Sequence, residues 1–306
     1  MPGRPALPSP AVDKGYLPFL IPGAVLFLVV IIVPLVMNVA VSFTSWSGVG
    51  APSWVGIDNY VRLVGDSTFW ASFRNIIAMI VAMAIVPTLI GLALASLLFD
   101  YIGKRFGDRP ASALRAGFYL PQVLPVAIAG VVWGWILHPS HGALNMSLRA
   151  VGLEGLTHNW LGDHSTALLS VMGVMIWFQV GYPVVIFMAG LQRVDPQLYE
   201  AAELDGANWS QRFRYVTVHA IRPEIMVVLL TTTIAALKVF GPIYVLTRGG
   251  PGDATTVPSY FAYQNFFERA QVGYGAAIAT VLTVIVVAFS AVFLGAQSRA
   301  DLRNAE

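Results

Sequence analysis

Long apolar runs separated by shorter polar stretches dominate this chain. Six of the runs reach the roughly 20 residues that a helix needs to cross the hydrocarbon core of a bilayer: Leu17 to Phe43, Asn75 to Phe99, Gly117 to Leu137, Ala167 to Gln192, Ile225 to Thr247 and Gly275 to Gln297. Lipid offers no partners to backbone N–H and C=O groups, so each run must satisfy its own as helix. The pattern predicts an all-α membrane protein with six transmembrane helices. Residues 1–16, with a Pro-rich start, are expected to be a disordered tail, 17–297 one six-span domain, and 298–306 a second tail. The first run is too long for the apolar region of a cleaved signal peptide, so it is expected to remain as a span.

Several runs carry proline: Pro22 and Pro34 in the first, Pro87 in the second, Pro121 and Pro125 in the third, Pro183 in the fourth and Pro242 in the fifth. Each removes a backbone hydrogen bond and is expected to kink its helix. The kinks either shape the bundle only or belong to helices that line a path and move. No internal repeat is evident.

One polar interruption stands apart. Between the fourth and fifth runs, residues 194–223 hold an acidic segment, Asp195-Pro196-Gln197-Leu198-Tyr199-Glu200-Ala201-Ala202-Glu203-Leu204-Asp205-Gly206, then a basic and aromatic one with Trp209, Arg212, Phe213, Arg214 and Tyr215. Asp195 can cap free N–H groups, Pro196 fits the first helical position, and Gly206 suits a helix stop. A helix of about three turns follows, with Glu200, Glu203 and Asp205 beside the small Ala201 and Ala202.

Composition agrees with a membrane protein, at 57% hydrophobic and 11% charged residues, where soluble domains carry about a quarter charged. The connecting segments set orientation. Arg4, Lys14, Lys104, Arg105, Arg109, Arg115, Arg193, Arg212, Arg214, Arg222, Arg299 and Arg303, twelve in all, fall on one side, against five (Arg62, Arg74, Arg149, Arg248 and Arg269) on the other. The richer side is the cytoplasmic one, so both termini and residues 194–223 are predicted to be cytoplasmic. Trp46, Trp54, Trp70 and Trp160 then fall in or beside outer loops, which could pack into a small cap. A net charge of +2 implies no nucleic-acid partner, and with no cysteine there is no disulfide framework and no thiolate chemistry.

Soluble-enzyme signatures are missing. Neither a His-Glu-x-x-His zinc pattern nor a Gly-x-x-x-x-Gly-Lys-Ser/Thr phosphate loop occurs. His138, His141, His158 and His164 share one outer connection with Glu154 and Asp163, but no helical spacing gathers them, and no metal site is expected. An intramembrane hydrolase would need a nucleophile and a base at membrane depth, where histidine is absent.

Gly130 and Gly134 form a Gly-x-x-x-Gly pair in the third run, read as internal packing. Lys238 lies within the fifth run, where a cation costs about 2.5–3.5 kcal/mol on insertion scales. It faces water or a partner, or else its stem snorkels toward the headgroups. Trp177, Gln179 and Tyr182 in the fourth run, with Phe240 and Tyr244 in the fifth, could supply stacking faces and hydrogen bonds for a polar ring-shaped solute. With Lys238 they form the candidate substrate path.

The run Glu200-Ala201-Ala202, three residues, then Gly206, between the fourth and fifth of six spans, resembles the EAA loop of permease subunits from ABC importers. Leu191-Gln192 before it, Tyr199 through Ala207 within it and Arg222-Pro223 after it are similar to the carbohydrate branch of that family. So are Gly56-Ile57-Asp58-Asn59-Tyr60, Leu120-Pro121 through Trp133, Leu237-Lys238-Val239-Phe240, Ile243-Tyr244-Val245-Leu246-Thr247 and Gly249-Gly250-Pro251. Two departures stand out: His219 where the family often has Pro, and Gly241 where it often has Asp, a lost partner for Lys238.

The resemblance implies a six-span permease fold in a bacterial-type cytoplasmic (inner) membrane. It implies a heterodimer with a second permease subunit, two ATP-binding subunits that hold Mg-ATP, and an extracytoplasmic solute-binding protein. This chain would itself bind no cofactor and hydrolyse nothing. Glu200, Ala201, Ala202, Glu203, Asp205 and Gly206 would dock on an ATPase subunit, and the cargo would be a sugar or oligosaccharide. A different class, an ion- or proton-coupled carrier without an ATPase, would want acidic groups within the spans, and none of the six runs holds Asp or Glu.

Overall fold

A computed structural model describes residues 17–103 and 107–305 of the chain. The expected tail at 1–16 lies outside these residues. Helix α1 (Pro18–Ser42) is of membrane length. A short antiparallel ribbon follows, β1 (Thr44–Ser45) on β2 (Ser53–Trp54), pairing Thr44 with Trp54 and Ser45 with Ser53. It leads to α2 (Asp58–Gly65) and α3 (Ser67–Leu97), then α4 (Asp108–Val123) and α5 (Val126–Ile136). α6 (Ala143–Ala150) lies in the next connection, before α7 (Ala167–Leu191), α8 (Pro196–Leu204), α9 (Trp209–Ala220) and α10 (Arg222–Leu237). α11 (Gly241–Leu246), α12 (Pro258–Tyr263) and α13 (Val272–Ala305) complete the chain.

Among the described residues four helices, α1, α3, α7 and α13, are long and apolar enough to cross a membrane, or up to six spans if each of two bent pairs counts as one. The α4–α5 pair bends by 95° and the α9–α10 pair by 70°. Two expected spans are therefore corrected. Gly117 to Leu137 is not one helix, because Leu124 (ψ 136) and Pro125 (ψ 129) are extended; a proline pushes the preceding residue out of the helical region. Ile225 to Thr247 is likewise interrupted: α10 stops at Leu237 and helix resumes only at Gly241, with Pro242 in the first turn. At the other end, residues 298–305 continue α13 as helix.

Pro34 and Pro87 do not break their helices. A wide π turn precedes each, Leu28–Ile32 and Val81–Ile85, in which Val33 N donates to Leu28 O and Val86 N to Val81 O. The widened turn takes up the carbonyl clash and the missing donor within a continuous helix.

Packing centres on α7. Its first half contributes Val171 and Met175 to a cluster with Met79 and Met83 of α3, Ala236 of α10, Ile243 of α11 and Tyr260 of α12. Its second half contributes Val184, Phe187, Met188 and Leu191 to another with Ala95 of α3, Leu98 just beyond it, Ile221 and Val228. α1 is peripheral, with Phe19 through Ile31 largely exposed. It holds to α13 by a polar hook: Asn38 Nδ2 donates to Ala276 O (3.3 Å) and Thr280 Oγ1 (3.0 Å).

Asparagines organise the connections. Asn75, buried on α3, donates to Thr256 O at 2.9 Å and holds the segment between α11 and α12, while buried Asn145 donates to Pro139 O and His158 O and accepts from Trp160 Nε1. Gly130 packs as expected, its added Cβ falling 2.8 Å from Val245 Cγ1, whereas Gly134 faces open space.

Candidate functional site

The segment between α7 and α9 folds largely as its residues dictate. Asp195 accepts a hydrogen bond from Gln197 N at 2.9 Å, and Pro196 opens α8. At the other end Gly206 takes φ +78, Gly206 N donates to Glu203 O (3.0 Å) and Ala207 N to Ala202 O (2.9 Å). These two bonds close a Schellman motif and satisfy carbonyls that would otherwise be orphaned. The helix has nine residues, about two and a half turns at 3.6 per turn, shorter than the three expected.

No residue of α8 is buried. Leu198 and Leu204 are 53% and 89% exposed beside the carboxylates, a mixed apolar and acidic surface. Glu203 is already engaged, its Oε2 3.1 Å from Arg212 Nη1. Among the described residues no ion pair reaches Glu200 or Asp205, so these carboxylates are left to meet an outside base.

Three contacts that sequence reading missed order α8 and the segments on either side of it. Tyr199 OH shares a 3.1 Å hydrogen bond with Thr217 Oγ1, and Thr217 is buried. Asn208 and Gln211 form a capping box, Gln211 N to Asn208 Oδ1 at 3.0 Å and Asn208 N to Gln211 Oε1 at 2.8 Å. An Asn followed three residues later by Gln was a legible signal for it. Arg193 pairs with Glu224, closing the base of the loop between α7 and α10, and Gly190 lets Glu224 and Ile221 approach to 3.1 Å of an added Cβ. Neither the Tyr199 nor the Arg193 contact has a local pattern. His219 is exposed in the last turn of α9, beside the 70° bend.

Replacing Tyr199 by Phe is expected to remove one hydrogen bond and about 1 kcal/mol of local stability. Amide exchange of α8 should then rise roughly fivefold while α7 is unchanged; identical exchange in both proteins would show that Tyr199 does not anchor the helix.

Of the six residues proposed to form a path, Lys238 lines a different surface from the other five. Trp177 meets Trp133 edge-on at 5.3 Å, Gln179 is buried, and Tyr182 OH lies 3.2 Å from Thr231 Oγ1. Phe240 and Tyr244 stack at 5.5 Å and join Tyr263 at 5.1 and 5.5 Å and Tyr260 at 6.2 and 6.4 Å. Tyr260 and Tyr263, which sequence reading left out, turn this pair into a four-ring cluster. Their spacing of three, with Pro258 to start a helix, was its visible sign. The Arg248 guanidinium is 5.9 Å from the Tyr244 ring. Burial, then Glu268, pushes the Tyr260 phenol above its ordinary value.

Lys238 is separate. It ends α10, where Lys238 N donates to Ile234 O, and its side chain lines a cleft of about 360 Å³ with Ser259, Ala262, Ala279, Leu282, Thr283, Val286 and Val287. None of the aromatic residues lines that cleft.

Comparison with known proteins places this architecture. The model of the family described as binding-protein-dependent transport system inner membrane component matches residues 101–304. The chain is 37% identical over 273 residues to a probable ABC transporter permease protein, YurN, of Bacillus subtilis, covering 89% of this chain and 92% of the relative. It is 32% identical to the trehalose/maltose transport system permease protein MalF of Thermococcus litoralis, with 92% of each chain covered. Its fold matches that of a bacterial alginate ABC transporter solved in complex with an alginate pentasaccharide-bound periplasmic protein, with a TM-score of 0.75 at 22% identity, over 91% of this chain and 93% of the other.

Proposed function

Because the chain belongs to the family of binding-protein-dependent transport system inner membrane components, we propose that it forms half of the membrane channel of an ATP-driven importer for a sugar or oligosaccharide. Its ABC permease relatives leave no place for the carrier reading. It is a multi-pass membrane protein, and we read both termini and α8 as cytoplasmic from the Arg and Lys bias. A second permease, two ATP-binding subunits carrying Mg-ATP and an extracytoplasmic solute-binding protein complete the assembly. ATP hydrolysis then resides in the partners, and this chain has no catalytic role.

The observation that carries the coupling role is α8 itself, a capped helix without a buried residue, tied to α9 through Tyr199 and Thr217, with the segment leading into it tied to α10 through Arg193 and Glu224. A helix held this way inserts into a groove on an ATP-binding subunit. Glu200 meets a basic group there, Ala201 and Ala202 permit close approach, and Leu198 and Leu204 cover the groove's apolar wall. When the ATP-binding subunits close, α8 moves and draws α7 and α10 with it through the Arg193–Glu224 pair. A floppy loop would dissipate that displacement, and coupling needs an element with two defined positions.

The sugar reading rests on named relatives and on rings. Trehalose and maltose are named for one relative and alginate for a structural neighbour. In this chain Trp177, Tyr182, Phe240 and Tyr244 offer apolar faces for pyranose C–H groups, and Gln179 offers an amide.

Reconstitution of the full assembly with its ATP-binding subunits tests both halves of the proposal. Glu200→Ala is expected to weaken ATPase binding about tenfold, the weight of one charge-assisted hydrogen bond of about 1.5 kcal/mol, and to lower sugar uptake in parallel. Unchanged binding and uptake would remove Glu200 from the docking site; uptake without any ATP-binding subunit would sink the importer reading.

A further inference from the structure

We propose that the cleft at Lys238 binds the headgroup phosphate of an anionic phospholipid, with an acyl chain lying along α13. Lys238 is exposed in the cleft, and among the described residues it makes no ion pair or hydrogen bond through its side chain. Gly241, four positions from the helix end, offers it no carboxylate. A cation in an apolar setting needs an anion or water, and the cleft supplies neither acid nor amide. Its two hydroxyls are committed as donors: Ser259 Oγ to Val239 O and Thr283 Oγ1 to Ala279 O. Neither has a proton left to donate to an anion, so the ammonium is the cleft's free donor.

The remaining walls, Ala262, Ala279, Leu282, Val286 and Val287, are aliphatic. They continue onto the outward face of α13, where Val284 and Val287 are 61% and 62% exposed. Depth fits a headgroup. α10 has 16 residues, a rise of about 24 Å at 1.5 Å each, against about 30 Å of hydrocarbon. Lys238 therefore lies near the boundary of the leaflet opposite α8, within a lysine stem of the phosphates. One cation at the polar end of an aliphatic trough is complementary to an anionic amphiphile. The proposal rests on the membrane-spanning reading and not on the identity of the solute.

The test uses the full assembly in phosphatidylcholine nanodiscs doped with phosphatidylglycerol, with lipid retained through delipidating washes counted by mass spectrometry. The unaltered protein and Lys238→Arg are expected to retain phosphatidylglycerol preferentially. Lys238→Gln should lose that preference about fivefold, the effect of one Lys near an anionic surface. Val287→Trp, at the open mouth of the cleft, should lose retention with the lysine in place, and it decides the question if Lys238→Gln does not assemble. Equal retention by the unaltered protein and either neutralised or filled variant overturns the proposal. So does protection of Lys238 from an amine acylating reagent in pure phosphatidylcholine discs, which would place a neighbouring subunit's carboxylate in the cleft. Displacement of lipid by a soluble acidic sugar would assign the cleft to solute instead.

Discussion

Gly206→Pro is expected to abolish sugar uptake driven by ATP while the spans still assemble. The native residue sits at φ +78, and its N–H donates to Glu203 O at 3.0 Å. Proline is locked near φ −65 and has no N–H. The substitution therefore fails twice, and the adjacent Ala207 N to Ala202 O bond of 2.9 Å goes with it. The end of α8 unwinds, and Glu203 and Asp205 leave the surface that Glu200 and Ala201 define. Gly206→Ala grades the effect, since a left-handed conformation costs an L-residue about 1–2 kcal/mol, enough for roughly a tenfold reduction. Nothing lies within 4 Å of the added Cβ of Gly206, so the cost is one of backbone conformation and not of packing. The readouts are ATPase stimulation by loaded binding protein, uptake into proteoliposomes, and the melting temperature of the assembly. Normal coupling in Gly206→Pro would show that the closed helix end is dispensable.

The second large effect is structural. Gly181→Val should destabilise the bundle by about 3 kcal/mol, the upper end of the usual overpacking range. An added Cβ at Gly181 would fall 2.2 Å from Phe118 O and 2.6 Å from Tyr119 Cα. These are backbone atoms of α4, so no side chain can swing aside and the whole helix must retreat from α7. Phe118 packs on the cluster of Val184, Phe187 and Leu191, which would open in turn. Gly173 lies in the same helix with nothing within 4 Å of its added Cβ. Gly173→Val therefore controls for valine in a helix, and its melting temperature in detergent should stay close to that of the unaltered protein. Equal loss in the two variants would mean that helix propensity, not the α4–α7 contact, sets the effect.

Both predictions show how the sequence relates to the structure. Gly206 was legible because a helix stop is a local event: Asp195, Pro196 and Gly206 act through their own backbone dihedrals and nearest neighbours. Gly181 was silent, since its partner is 63 residues away in sequence and its role is to be empty. The same division runs through the spans. Apolar runs announced six crossings, because hydrocarbon selects them one segment at a time. Prolines announced trouble in five of them but not its form. Pro34 and Pro87 are absorbed by π turns, while Pro125 stands at a 95° bend.

The candidate path was least legible. Lys238, Phe240 and Tyr244 are close in sequence, yet the break at residues 238–240 sends the ammonium to a cleft on α13 and the rings to α12. A helical projection that assumes an unbroken fifth span cannot anticipate this. Tyr260 and Tyr263 enter the ring cluster only because α12 folds back beside α11, held by Asn75 through Thr256.

By itself, then, the sequence determined that this is a six-run, predominantly helical membrane chain, and it located the capped acidic helix between the fourth and fifth runs. Hydrophobic length, charge bias and capping are properties of short segments and are readable there. Tertiary structure alone decided which helices bend, which glycines are contact surfaces, that Glu200 stays free while Glu203 pairs with Arg212, and that Lys238 faces away from the aromatic cluster. Those outcomes depend on atoms brought together from distant parts of the chain, and close packing permits only one arrangement of them.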